Sequence, residues 1–248
     1  MSNSVSRRAF SLGLFAFFSR RRWLRIADTR FEILRNGRDR RRYVWIHGNE
    51  YTARDVLLAE QPALEGRFFL ITSSERYVPL CGGKVDPNRI FSRPGAALSL
   101  ERLNPRWTRA QINEALEKLD QTRPRLIRAL IPNDGSLLVA LHNNAEGYSV
   151  RDELPVSNRS ALQDPAHPHE FFLATHPVDF EILAGGPFNV VLQNAPGGED
   201  DGSLSRLAAR LRVRYVNLEA RLGNRETQTR MFRFLERVLP ERLAPWAS

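Results

Sequence analysis

The 248-residue chain has a single cysteine, Cys81. It can therefore form no internal disulfide and no cysteine-rich zinc or iron–sulfur site. A lone thiol fits either redox compartment, so it does not locate the protein. Long apolar runs are missing too. The longest stretch, residues 9–18, is broken by Ser11 and Gly13 and falls short of the roughly 18 residues of a spanning helix. No stable membrane span is expected, and there is no internal repeat or low-complexity segment. The body of the chain also lacks a charge excess. Residues 1–42 hold twelve arginines against Asp28, Glu32 and Asp39, which accounts for the whole net charge of +9. Residues 43–248 balance 25 bases with 25 acids. A basic body built to coat nucleic acid is disfavoured, and no nucleic-acid partner is expected. What remains is 42% hydrophobic and 26% charged, ordinary globular material of a length that suits one α/β domain.

The segment Ser6-Arg7-Arg8-Ala9-Phe10 and the short apolar core after it look like a twin-arginine export signal. Residues 1–25 are read as that signal or as a basic leader, and residues 26–248 as a single domain. Arg20-Arg21-Arg22 follows the apolar core, and small residues at the spacing of a cleavage site are absent. A basic leader with some affinity for acidic lipid, or a misplaced start codon, is the alternative. Export to the periplasm is favoured over a cytoplasmic location.

Beyond residue 25, extended and helical stretches alternate. Arg30–Arg35 and Tyr43–Ile46 read as two early strands separated by the turn Asn36-Gly37. Phe68–Ile71, Leu137–Leu141, Phe171–Ala174, Phe188–Leu192 and Val213–Leu218 read as further strands. Helical spacing marks Thr52–Gln61, Trp107–Leu130, Ser203–Leu211 and Thr227–Leu239, with Pro124 expected to kink or divide the longest. Continuous apolar strands alternating with helices predict an α/β fold, a mixed central sheet with helices on both faces.

In such sheets ligands sit outside the carboxyl ends of strands. Three strand ends there carry chemistry: His47-Gly48-Asn49-Glu50, His142-Asn143-Asn144 and Glu219. His47 and Glu50, three apart with Gly48 between them, can turn toward one point. With His142 they make a His₂Glu set, the usual first shell of a hydrolytic Zn²⁺ that keeps a position for water.

Four motifs in order, His47-Gly48-Asn49-Glu50, Asp86-Pro87-Asn88-Arg89-Ile90-Phe91, Leu141-His142-Asn143-Asn144 and Leu218-Glu219, resemble those of the zinc carboxypeptidase superfamily. The resemblance spans roughly residues 40–220 and is nearest the succinylglutamate desuccinylase/aspartoacylase branch. It implies a zinc-dependent hydrolase that cleaves an amide bond next to a carboxylate-bearing group, as an N-acyl amino acid deacylase or a carboxypeptidase. The partner would be a small carboxylate-bearing substrate or a peptide C-terminus. It implies zinc at His47, Glu50 and His142, a carboxylate clamp at Asn88 and Arg89, a carbonyl-polarising Arg76, and Glu219 as general base. A guanidinium fork suits the clamp because it meets both carboxylate oxygens. A non-catalytic metal- or carboxylate-binding module on the same scaffold is the alternative. The sequence departs from the pattern in three places. DPNR replaces DLNR, Ala220 follows the late Glu, and no Tyr lies between 176 and 214. Tyr148, in the loop after His142, is a candidate to reach the pocket. The oligomeric state is not legible.

Other features carry plainer readings. His167, His169 and His176 suggest a solvated loop before a second metal site. Cys81 reads as loop filler, and Asp200-Asp201-Gly202-Ser203 as a helix cap. Arg40-Arg41-Arg42 reads as a solvated strand edge.

Overall fold

The structure, a computed structural model, describes residues 22–145 and 147–244. The twin-arginine-like motif and its apolar core lie outside the described residues. A nine-stranded mixed sheet runs through the molecule in the order β1-β2-β4-β3-β7-β11-β9-β10-β8. The strands are β1 (Arg22–Ile26), β2 (Thr29–Asn36), β3 (Arg41–Trp45), β4 (Gly66–Ile71), β7 (Leu137–Asn144), β8 (Arg159–Ala161), β9 (Phe171–Ala174), β10 (Asn189–Leu192) and β11 (Tyr215–Arg221). A separate hairpin pairs β5 (Val78–Leu80) with β6 (Gly83–Val85). The helices are α1 (Tyr51–Glu60), α2 (Arg93–Leu103), α3 (Arg109–Leu130), α4 (Val150–Glu153), α5 (Pro177–Ala184), α6 (Leu204–Arg210) and α7 (Arg225–Val238). The expected α/β class with a mixed central sheet is what the chain forms.

The centre of the sheet follows from apolar content. Every residue of β7 is buried, and its run Leu137-Leu138-Val139-Ala140-Leu141 has no polar face to give to water. Such a strand needs cover on both sides, which parallel pairing with crossover helices provides. β3, β4, β7 and β11 are mutually parallel neighbours, so their carboxyl ends share one edge. Burying each large aliphatic side chain of β7 contributes about 1.5–3 kcal/mol. None of the helices among the described residues is long and apolar enough to cross a membrane.

Three expectations are corrected. The turn after β2 is present as expected, with Gly37 in the left-handed region (φ 57°), although β2 and β3 do not pair with each other. β4 inserts between them, antiparallel to β2 and parallel to β3. Pro124 does not divide α3, which runs as one helix of 22 residues behind a capping box of Thr108 and Gln111. Leu116, Leu119, Leu126 and Leu130 pack into the core on both sides of the proline, and Arg123 donates from its Nε to Ile90 O. Tertiary packing there outweighs the one backbone hydrogen bond that proline removes. Arg40-Arg41-Arg42 is no solvated edge either, because β3 is interior. Arg41 is buried, pairs with Glu236 at 2.8 Å and donates to Leu239 O at 2.6 Å. Finally, β1 begins inside the segment read as leader, with Leu24 and Ile26 in the core.

Candidate metal centre

The loop leaving β3 must turn sharply against the loop that follows β4. Gly48 makes this possible, since a Cβ there would lie 2.1 Å from Ser73 O. Its N–H donates to Glu75 O at 3.1 Å, which fastens the two loops together. His47 thus leaves the end of β3 and Glu50 stands at the N-cap of α1. Their neighbour β7 supplies His142, and β11 supplies Glu219 directly opposite His142. Both strands run past these residues, to Asn144 and Arg221, so His142 and Glu219 lie within strands and not beyond their ends.

His47, Glu50 and His142 are all buried, and one ligand atom from each lies within 4.8 Å of the others. His47 Nδ1 is 2.7 Å from Glu50 Oε1, and His142 Nδ1 is 2.9 Å from Glu50 Oε2. The other nitrogen of His47, Nε2, is 2.8 Å from Asp86 Oδ1. This arrangement fixes the donor chemistry. A carboxylate can only accept, so Asp86 takes the Nε2 proton and leaves the Nδ1 lone pair aimed at another carboxylate. Two lone pairs cannot face each other at 2.7 Å, so a proton lies between them in the chain alone, and a metal ion would take that proton's place with the two groups further apart. Burial opposes charge on His47, but Glu50 and Asp86 together raise it to about 9. The same exchange pulls Asp86 down to about 2 against the opposing effect of burial. Glu50, also opposed by burial, is held far below the usual carboxylate range by the two imidazoles. A neutral-imidazole pair with one carboxylate suits a borderline divalent cation such as Zn²⁺, and a carboxylate behind the imidazole is the usual outer partner of such a ligand. The residues present fit the ion.

Asp86 is the residue that sequence reasoning missed. It stood in the quoted DPNR motif, two residues ahead of Asn88, but nothing in the spacing tied it to His47. Asn143 and Gln228 were missed as well. Asn143 N donates to Glu50 Oε2 at 3.2 Å, and its side chain accepts from Ala53 N and donates to Gln228 Oε1. Gln228, fully buried on α7, donates to His142 O at 2.9 Å. One network therefore ties α1, β7 and α7 to two of the three candidate ligands.

Glu219 is buried beside them and lifted to about 7, chiefly by burial, with His142 opposing and Glu50 adding to the rise. Amides and not a cation hold it: Asn217 Nδ2 reaches Oε1 at 3.1 Å and Asn144 Nδ2 reaches Oε2 at 3.3 Å. Arg76 lies half-exposed with Nη1 2.9 Å from Glu50 Oε1. Asn88 spends its side-chain oxygen on Leu204 N, at the start of α6. Arg89 donates to Asn88 O at 2.9 Å and stands 3.6 Å from Asp201. Tyr148 donates to Glu153 and packs its ring against Phe171, with Glu219 among the charges it feels.

The three remaining histidines have separate partners. His167 meets Asp164, His169 meets Tyr148 O, and His176 caps α5 by accepting from Val178 N. They form no metal cluster among the described residues. Ser203 caps α6 by accepting from Arg206 N, and Asp201 in turn accepts from Ser203 N.

No family model matches this chain, and no curated protein matches it. Among solved structures it is similar to a 2.45 Å crystal structure from Shewanella baltica OS155, provisionally named a metallopeptidase. Identity is 14%, the match covers 88% of this chain and 86% of that one, and the TM-score is 0.42.

Proposed function

We propose that this protein is a metal-dependent hydrolase, with Zn²⁺ at His47, Glu50 and His142, that cleaves an amide bond next to a carboxylate-bearing group. The observation that carries the reading is the convergence of His47 Nδ1 and His142 Nδ1 on the two oxygens of Glu50, with Asp86 holding the far nitrogen of His47. A divalent cation bound by that set supplies Lewis acidity toward a carbonyl and makes water a better acid. The chain's own residues do the rest. Glu219 takes a proton from the attacking water and returns it to the leaving nitrogen, a task suited to a carboxyl near 7. Arg89 grips the substrate carboxylate with the part of its guanidinium that Asn88 O leaves over. Asn88 supports that grip by docking the turn onto α6, since its oxygen is already engaged. Arg76, exposed on one side, offers its remaining N–H groups to the carbonyl oxygen as charge develops there. Both N-acyl amino acids and C-terminal peptide bonds meet these requirements. Export through the N-terminal motif would make the substrate periplasmic, with a cell-wall peptide as one candidate.

A second reading, a non-catalytic binding module, draws on Arg76. Its guanidinium already gives Glu50 a cationic partner without a metal. Metal analysis of the purified chain, followed by a screen of N-acyl amino acids and dipeptides, separates the two. About one zinc per chain and turnover of a free-acid substrate are expected. Absence of metal after loading, with no turnover, would leave the binding module.

A further inference from the structure

Glu219 sits between two asparagines that the four motifs give no role. Asn217 precedes it by two residues on β11, so the two side chains leave the same face of the strand. On the parallel neighbour β7, His142 lies opposite Glu219 and Asn144 lies opposite Arg221, which brings Asn144 onto that face too. The result is a clamp on both carboxylate oxygens. Asn217 Nδ2 donates to Oε1 at 3.1 Å and Asn144 Nδ2 donates to Oε2 at 3.3 Å. The second hydrogen of the Asn144 amide goes to His169 O at 2.7 Å, which fixes that amide's plane. All three side chains are buried, so water does not compete for these bonds.

We propose that Asn144 and Asn217 are positioning residues that lock the plane of the Glu219 carboxylate and aim its free lone pairs at the candidate metal centre. The proposal rests on the reading of Glu219 as base. Each carboxylate oxygen has two acceptor directions. The asparagines occupy one on each oxygen, so the carboxylate cannot rotate about its last bond without breaking both contacts. A base held in this way pays little to reach its working orientation, and a displacement near 1 Å can cost about 10²-fold in rate.

The test is a set of near-isosteric variants, Asn217→Leu, Asn144→Leu and both together, each made in the wild type and in Glu219→Gln. Expected in the wild type is a fall in kcat of roughly 10- to 100-fold with KM and metal content unchanged. In the Glu219→Gln background the same substitutions should cost almost nothing further, because their effect passes through the carboxylate. Losses that add in full in that background would overturn the proposal. If Glu219→Gln itself leaves kcat intact, the base reading fails. If only the asparagine variants leave it intact, this inference alone fails. A readout without turnover is a crystal structure of zinc-loaded Asn217→Leu. There the Glu219 carboxylate should take a rotated or divided orientation, and an unmoved carboxylate would count against the lock.

Discussion

Replacing Asp86 by Asn tests the candidate metal centre without touching a ligand. The carboxylate accepts the Nε2 proton of His47 at 2.8 Å and so leaves the Nδ1 lone pair facing Glu50 and the metal position. An asparagine of the same size offers an amide oxygen that accepts and an amide nitrogen that donates. If the donating end meets Nε2, His47 takes the other tautomer and carries its proton on Nδ1, where a metal would bind. Returning the amide to its accepting orientation restores the tautomer but not the charge. Loss of such an outer partner typically weakens metal affinity 10- to 100-fold, or about 1.4–2.8 kcal/mol. Competition against a chromophoric chelator at neutral pH measures this directly, with His47→Ala as the reference for complete loss of a ligand. Asp86→Asn should fall between wild type and that reference. Thermal unfolding of the metal-free proteins serves as the control for folding. A folded Asp86→Asn protein that binds zinc as tightly as wild type would refute the argument from tautomer control.

Glu219→Gln should lower kcat by roughly 10²–10⁴-fold while leaving zinc content nearly unchanged, measured by steady-state kinetics with metal analysis on the same sample. Asp179→Ala removes the counter-charge of buried Arg214, whose guanidinium meets both carboxylate oxygens at 2.8 and 2.9 Å and would keep only backbone carbonyl partners. Urea denaturation should show a loss of about 3–5 kcal/mol, and a loss under 1 kcal/mol would show that the pair is dispensable. His176 is held below its ordinary value by burial and caps α5 through an unprotonated Nδ1. Its folded value is depressed, so the unfolded chain takes up the proton first. The stability that neutral His176 contributes should therefore decline as pH falls through about 6.5. Asn at 176 can cap without titrating, and the difference in melting temperature between wild type and His176→Asn should change across pH 5–7.5. A constant difference would contradict the assignment.

The sequence by itself determined the elements whose signals are local. The apolar run of β7, the short strands β4, β9 and β10, and the amphipathic helices α3 and α7 were all readable from periodicity, because burial of one face or two depends on spacing along the chain. The His47-Gly48-Asn49-Glu50 motif was legible for the same reason, with its three key residues inside a single turn. Tertiary structure decided everything that depends on which strand lies beside which. The turn at Asn36-Gly37 exists, yet β4, thirty residues on, takes the place of β3 beside β2. A turn signal says that the chain reverses there and nothing about which strand will pair with its flanks. Arg41 looked like an edge residue because its charge is local, whereas its carboxylate and carbonyl partners come from residues 236 and 239. At the site, residue types named the donors, but the parallel register of β7 and β11 placed Asn144 and Asn217 around Glu219. The loop carrying Asp86 likewise reached His47 only through folding. Side-chain chemistry is written one residue at a time, while the tautomer, orientation and charge state it takes are set by neighbours that chain distance does not reveal.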